Sequence, residues 1–201
     1  MSTYKKNLEL LTKNNVYSRE MEHDACGVGL IASTEGKKSR EVVEYGIEAL
    51  KAVWHRGAVD ADGKTGDGAG IHLEIPKNFF VEKIEVTGHT HDGSDICVGM
   101  IFLPRNDYAA QESCKTIVES ELTKNDFSIY GWRQVPVNAK VLGEKALQTM
   151  PEIIQVLFKA NNKNLIDKDL ERKIYETRKK IENKAFNLSL IHISEPTRRT
   201  T

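Results

Sequence analysis

Nowhere does an apolar run reach the roughly 20 residues needed to cross a bilayer, so membrane-spanning functions drop out first. The opening stretch MSTYKKNLELLTKNNVYSRE has lysines but no apolar core of signal-peptide length, so nothing in it directs secretion. Cysteine is scarce. Cys26, Cys97 and Cys114 form an odd set with no C-x-x-C pair, which argues against a disulfide framework or a zinc site and fits a reducing compartment. An excess of either charge is also missing: 29 Lys+Arg balance 29 Asp+Glu, and no long-range field favours nucleic acid or anionic lipid. The chain therefore reads as a cytosolic protein without metal, nucleic acid or membrane among its partners.

What is present is a lean but periodic apolar pattern. Hydrophobic residues make up 39% of the 201, enough for one core-bearing domain of mixed helix and strand. Val28–Ala32 reads as a short strand ending in the turn Ser33–Gly36. From Ser39 to His55, Val43, Ile47, Leu50 and Trp54 recur at helical spacing, with Ser39 suited to the N-cap and His55 and Arg56 to the negative end of the dipole. Ile71, Leu73 and Ile75 alternate as in a half-buried strand, and Ile96–Leu103 is continuous enough to predict a mid-sheet strand covered on both faces. Asn106 or Asp107 caps a predicted helix carrying Ala110, Cys114, Ile117 and Leu122. Strands are predicted at Phe127–Val137 and Ile153–Phe158. A last helix opens at Asp167, with Leu170, Ile174, Thr177 and Ile181 on one face and Glu176 placed to pair with Lys180. Residues 188–201 fit no element; LSLIHISEPTRRTT resembles a translated sequencing adapter and is set aside as a non-native tail.

Two stretches could carry chemistry. In Glu22-His-Asp-Ala-Cys-Gly-Val-Gly-Leu30, Cys26 sits between small residues that let a substrate approach both its sulfur and the adjoining backbone. The plain alternative is a small buried hydrophobe at a strand edge. If the polar leader of residues 1–25 is cut away as a propeptide, Cys26 gains an α-amino group with a reference pKa of about 7.7 to 8.0, near enough to neutrality to act as a base. One residue would then supply both nucleophile and proton acceptor. The second stretch, GAVDADGKTGDGAG over residues 57–70, has five glycines and three aspartates and suits a long shaped loop. Asp60, Asp62 and Asp67 mimic the start of a calcium loop, but Lys64 and Thr65 fall where a ligand and its glycine belong. Gly66–Gly70 is only a partial phosphate-binding fingerprint. Cys97 and Cys114 read as core thiols, and His89 and His91 in THTHDG as part of a solvated turn.

MEHDACGVGLIA followed by VVEYGIEALKAVWHRGAVDADGKTGDGAGIHLEIP resembles the N-terminal class II glutamine amidotransferase domain of glutamate synthase large subunits. The likeness covers residues 21 to about 187. It implies an α+β, N-terminal nucleophile hydrolase fold, a four-layer αββα sandwich, here truncated on its C-terminal side, with residues 26–187 forming a partial domain. Cys26 matches the nucleophile. Arg56 matches the arginine that closes the helix behind the catalytic strand and is a candidate substrate contact, although capping the helix carbonyls is its simpler role. Gly57, Asp62, Gly66, Asp67 and Gly68 fall in the loop that the resemblance places near the cysteine.

By the same resemblance, glutamine is the substrate. Ammonia is passed to 2-oxoglutarate elsewhere in the polypeptide, and the full-length enzyme carries FMN and an iron–sulfur cluster, with NADPH serving through a small subunit. None of these cofactors is expected on this stretch. The family's oxyanion donors and carboxylate clamp lie in H-N-G-E-type and R-Y-S-T-type segments, and neither occurs in this sequence. The chain as it stands is accordingly expected to be inactive and aggregation-prone. Two rival readings are an amidotransferase with another acceptor and a non-catalytic module with a buried cysteine.

Overall fold

The computed structural model describes residues 27–54, 57–165 and 167–187, together with Lys6 and Glu9. It divides into two compact units, Met1–Asp60 with Gly66–His72 and Ala61–Thr65 with Leu73–Thr201.

The first unit is organised by helix α1 (Arg40–Ala52). Ser39 is extended, and its Oγ accepts from Val42 N at 3.4 Å, satisfying one of the donors that every helix start leaves open. Glu41 stands in the first turn and Lys51 in the last, as the dipole favours. Val43, Ile47 and Leu50 are half-buried, but no residue of α1 is fully buried and Trp54 is 75% exposed. The expected capping residues His55 and Arg56 lie outside the described residues. Gly57 N donates to Trp54 O at 3.0 Å and closes the turn after the helix.

Two expected strands are corrected. Residues 27–33 and 71–76 have no regular structure, and Val28, Leu30, Ile71 and Leu73 are exposed. Alternating apolar residues specify a strand only when a neighbouring ladder accepts the backbone N–H and C=O groups. Among the described residues no strand pairs with either segment. The turn between residues 27–33 and α1 does form, with Gly36 N on Ser33 O at 3.2 Å.

The second unit is a three-stranded antiparallel sheet with helices on both faces. Strands β1 (Cys97–Leu103), β2 (Phe127–Gln134) and β3 (Glu152–Ala160) lie in the order β1-β3-β2, with a bulge in β2 between Ile129 and Gly131. Thus β1 is an edge strand, not the mid-sheet strand its unbroken apolar run suggests. The central place falls to β3, where five consecutive residues, Ile154–Phe158, are buried. On β1 the run is covered well on one face only, and Met100 on the other face is 44% exposed.

Helices α3 (Tyr108–Lys124) and α5 (Asp167–Asn187) cover one face. Asp107 caps α3, its carboxylate accepting from Ala110 N at 2.9 Å, and Cys114, Ile117 and Leu122 turn inward as their spacing predicts. Phe127 and Phe158 meet edge to face at 5.2 Å beneath them. From α5, Thr177 and Ala185 are buried while Leu170, Ile174 and Ile181 pack partly against the core. Glu176 faces Arg172 at 3.8 Å, and Lys180 donates to Asn125 Oδ1 at 2.7 Å, so the expected Glu176–Lys180 pair gives way to other partners.

Helix α2 (Lys77–Val86), which the apolar pattern did not signal, covers part of the opposite face through Phe80 and Ile84, one turn apart, against Tyr130 and Leu157. Cys97 and Cys114 are both free and buried, as expected of core thiols. Burial pushes the Cys97 thiol up to about 12 and raises that of Cys114.

Two carboxylates tie distant segments of this unit together. Asp92 accepts from Lys159 Nζ at 2.8 Å and from Ser94, and Glu121, buried on α3, accepts from Lys184 of α5. Hydrogen bonding from the lysine is the main cause holding each below the ordinary carboxylate range. A carboxylate whose folded pKa is depressed adds stability at pH values above its unfolded pKa, and that stability disappears as pH falls through the folded value. The melting temperature is therefore expected to drop between about pH 5 and pH 2. Asp92→Asn should flatten that profile, as calorimetry across a pH series would show.

Candidate functional site

The glycine-rich loop is closed at its base by main chain. Val59 and Gly66 form an isolated antiparallel bridge. Asp67 N donates to Ala58 O at 3.2 Å, and Ala58 N donates to the Asp67 carboxylate at 2.9 Å, so one aspartate clamps both ends of the stem. Gly66 is required by close approach, since a Cβ there would lie 2.9 Å from Ala58 O. Gly57 precedes the stem. Gly68 follows it, exposed and without regular structure.

The tip, residues 61–65, belongs to the second unit and is organised by Asp62. Its Oδ1 accepts from Lys64 N at 2.9 Å and Thr65 N at 2.6 Å, and its Oδ2 accepts from the Thr65 hydroxyl. These donors stabilise the ionised form, the Thr65 hydroxyl most, and hold Asp62 at about 2. The Asp62 carboxylate also lies close against Gly143, far down the chain before helix α4 (Glu144–Thr149), where an added Cβ would collide with it and with Thr65. Asp62 and Asp67 are thus occupied by donors of the loop itself.

Of the residues singled out from the sequence, Gly66 and Asp67 lie in the stem that Gly57 precedes, and Asp62 organises the tip. Cys26 and Arg56 lie outside the described residues. Ala58, Thr65 and Gly143 were not singled out. Thr65 had a local signal, a hydroxyl three residues after an aspartate in a glycine-rich turn. Gly143 had none, because its approach to Asp62 joins segments far apart in the chain. His91, in the THTHDG turn, has its Nε2 at 2.8 Å from Ser94 O, and its Nδ1 accepts from Gly93 N at 3.3 Å.

Residues 26–195 match the family described as class-II glutamine amidotransferases. The chain belongs to that family. The match begins at Cys26, the residue singled out as the nucleophile. The chain is 53% identical over 182 residues to the NADPH glutamate synthase large chain of Azospirillum brasilense, covering 90% of this chain and 12% of that protein. It is 40% identical over 166 residues to the chloroplastic ferredoxin-dependent glutamate synthase 2 of Arabidopsis thaliana, covering 80% and 10%. With the ferredoxin-dependent enzyme of Pyropia yezoensis it shares 39% identity over 175 residues, covering 86% and 11%. The chain thus spans about an eighth or less of the curated relatives it matches.

This amidotransferase segment is α+β, with helices and a small antiparallel sheet. No helix among the described residues is long and apolar enough to cross a membrane. The redox groups implied for the whole enzyme do not fit the residues here. An iron–sulfur cluster takes four ligands, whereas the chain has three cysteines, and Cys97 and Cys114 are buried with raised thiol pKa values. In the partial phosphate fingerprint, the Asp67 N–H is engaged by Ala58 O and is not open to an anion.

Proposed function

We propose that this chain is the glutaminase portion of a glutamate synthase and that Cys26, exposed by removal of residues 1–25, releases ammonia from glutamine. The observation that carries this reading is the family match, which starts at the cysteine predicted to become the N-terminal residue. In the proposed reaction, the Cys26 thiol passes its proton to the α-amino group as its sulfur attacks the side-chain carboxamide carbon of glutamine. The C–N bond then breaks, the amino group returns the proton to the departing nitrogen, and ammonia leaves a thioester. Water cleaves the thioester to glutamate and restores the thiol.

The finer architecture belongs to the same proposal. A four-layer αββα sandwich needs a further sheet over the face of β1 and β3 that α2 leaves open. That reading is supported by Met100, Phe102 and Ile153, an apolar stretch on that face which is only half-buried or exposed. Arg56, which follows α1 in the sequence, is the candidate glutamine contact. The ammonia acceptor is 2-oxoglutarate, held by other domains of the same polypeptide. FMN, the iron–sulfur cluster and NADPH, through a small subunit, serve that later step, and the higher identity to an NADPH enzyme than to the ferredoxin-dependent ones supports the nicotinamide. A cytosolic location fits the free thiols.

Intact-mass measurement on the full-length enzyme tests the reading. The mature N-terminus is expected at Cys26, and a glutamine-mimicking electrophile is expected to label that residue. A fully active enzyme that retains residues 1–25, or labelling at Cys97 or Cys114, would count against it.

A further inference from the structure

The turn at residues 91–94 engages both ring nitrogens of His91. Nε2 lies 2.8 Å from Ser94 O, and since a carbonyl oxygen can only accept, this nitrogen carries a proton. Nδ1 accepts from Gly93 N at 3.3 Å, so this nitrogen carries none. The closed turn therefore holds the neutral ring in a single tautomer. A further proton would sit on Nδ1, facing the Gly93 N–H. Gly93 has a φ of 84°, a left-handed conformation suited to glycine, and this turns its N–H back toward the ring.

The same turn is tied to the sheet. Within it, the Asp92 carboxylate accepts from Ser94 N at 3.2 Å and Ser94 Oγ at 2.5 Å; outside it, the carboxylate accepts from Lys159 Nζ of β3 at 2.8 Å, and Lys163 Nζ lies 3.5 Å away. From β2, Tyr130 sets its ring 6.3 Å from that of His91 and its hydroxyl 3.5 Å from Asp92, while His89 flanks the same ring at 6.2 Å. Asp92 favours a charged His91 ring and the two lysines oppose it, and their pairing leaves the hydrogen-bond geometry to decide. The turn also walls a cavity of about 300 Å³ that Leu165 and Leu170 line as well.

We propose that His91 is a proton-operated latch: a proton gained at Nδ1 breaks the bond from Gly93, opens the 91–94 turn, loosens Asp92 from Lys159 and removes one wall of the cavity. The sulfur chemistry proposed above plays no part in this device, so either can fail without the other. The open turn accepts the proton that the closed turn excludes, so the stability of the closed turn falls as pH falls. A solvated imidazole takes its proton near about pH 6.5, above the acid range in which Asp92 is neutralised. Loss of one hydrogen bond sets the size of the effect, roughly three- to tenfold in opening from about pH 7.5 to pH 5.5.

The test is millisecond amide exchange on the full-length enzyme across that pH range, corrected for the intrinsic pH dependence of an unstructured peptide. Exchange in a peptide spanning residues 89–96 is expected to accelerate roughly three- to tenfold at the lower pH, with peptides from the centre of β3 unchanged. His91→Asn keeps an acceptor near the Nδ1 position and does not titrate, so its corrected exchange should be the same at both pH values. His89→Asn should respond as the wild type does. A wild-type acceleration below about twofold would overturn the proposal, since it is smaller than one hydrogen bond supplies. So would a response that persists in His91→Asn, one that disappears in His89→Asn, or one shared equally by β3, which would mark opening of the whole unit.

Discussion

Cys26→Ala in the full-length enzyme is expected to reduce glutamine-dependent activity by a factor on the order of 10⁴ or more, with ammonium-dependent glutamate formation retained. Alanine removes the atom that forms the thioester, and the remaining α-amino group has no covalent route to ammonia. Serine should recover little, because a hydroxyl is far less ionised than a thiol near neutral pH and the proposed amine is too weak a base to compensate. A proline inserted before Cys26 to block removal of the leader should reproduce the alanine phenotype while leaving the sulfur in place. Comparing glutamine- and ammonium-dependent turnover in the same preparations separates a lost nucleophile from a damaged protein. Equal activity in wild-type and Cys26→Ala enzyme would end the case for this residue.

The second large effect concerns the fold that carries the loop tip. Phe127 is 2% exposed, meets Phe158 edge to face at 5.2 Å, and lies under the Lys173 ammonium at 5.4 Å. Phe127→Ala removes a whole ring from beneath α3 and α5 and is expected to cost about 3–5 kcal/mol, a large share of the roughly 5–15 kcal/mol that holds a domain folded. In the full-length enzyme the readout is amide exchange in peptides covering β2 and β3, which should accelerate on the order of 10²- to 10⁴-fold if those strands exchange by opening of the whole unit. Phe127→Leu should give a smaller acceleration, since it retains most of the apolar volume. Unchanged exchange after Phe127→Ala would mean that the edge-to-face pair lies outside the cooperative core.

How much of this could be read from the chain varied with the range of the interaction. Helices α1, α3 and α5 were legible because their signals are local: Ser39 and Asp107 cap within three residues, and the apolar stripes repeat every three or four. Helix α2 was not signalled, because Phe79, Phe80 and Val81 form an unbroken run that hides the one-turn spacing of Phe80 and Ile84. Ile71–Ile75 shows the converse: its alternation is that of a strand, but alternation describes one side of a pairing and its exposed residues have no ladder beside them. Within the loop, the glycine count announced a shaped turn. The clamp between Asp67 and Ala58 could not be read the same way, since it depends on two chain segments meeting.

The amino-acid order alone singled out the candidate nucleophile, the glycine-rich motif, the starts of three helices and the core character of Cys97 and Cys114, because each follows from residue type or from neighbours within a turn or two. Only the tertiary structure placed β3 between β1 and β2, left β1 at an edge, and brought Gly143 against the Asp62 carboxylate. Those outcomes depend on which distant surfaces can exclude water and satisfy one another's hydrogen bonds, and local spacing does not encode that choice.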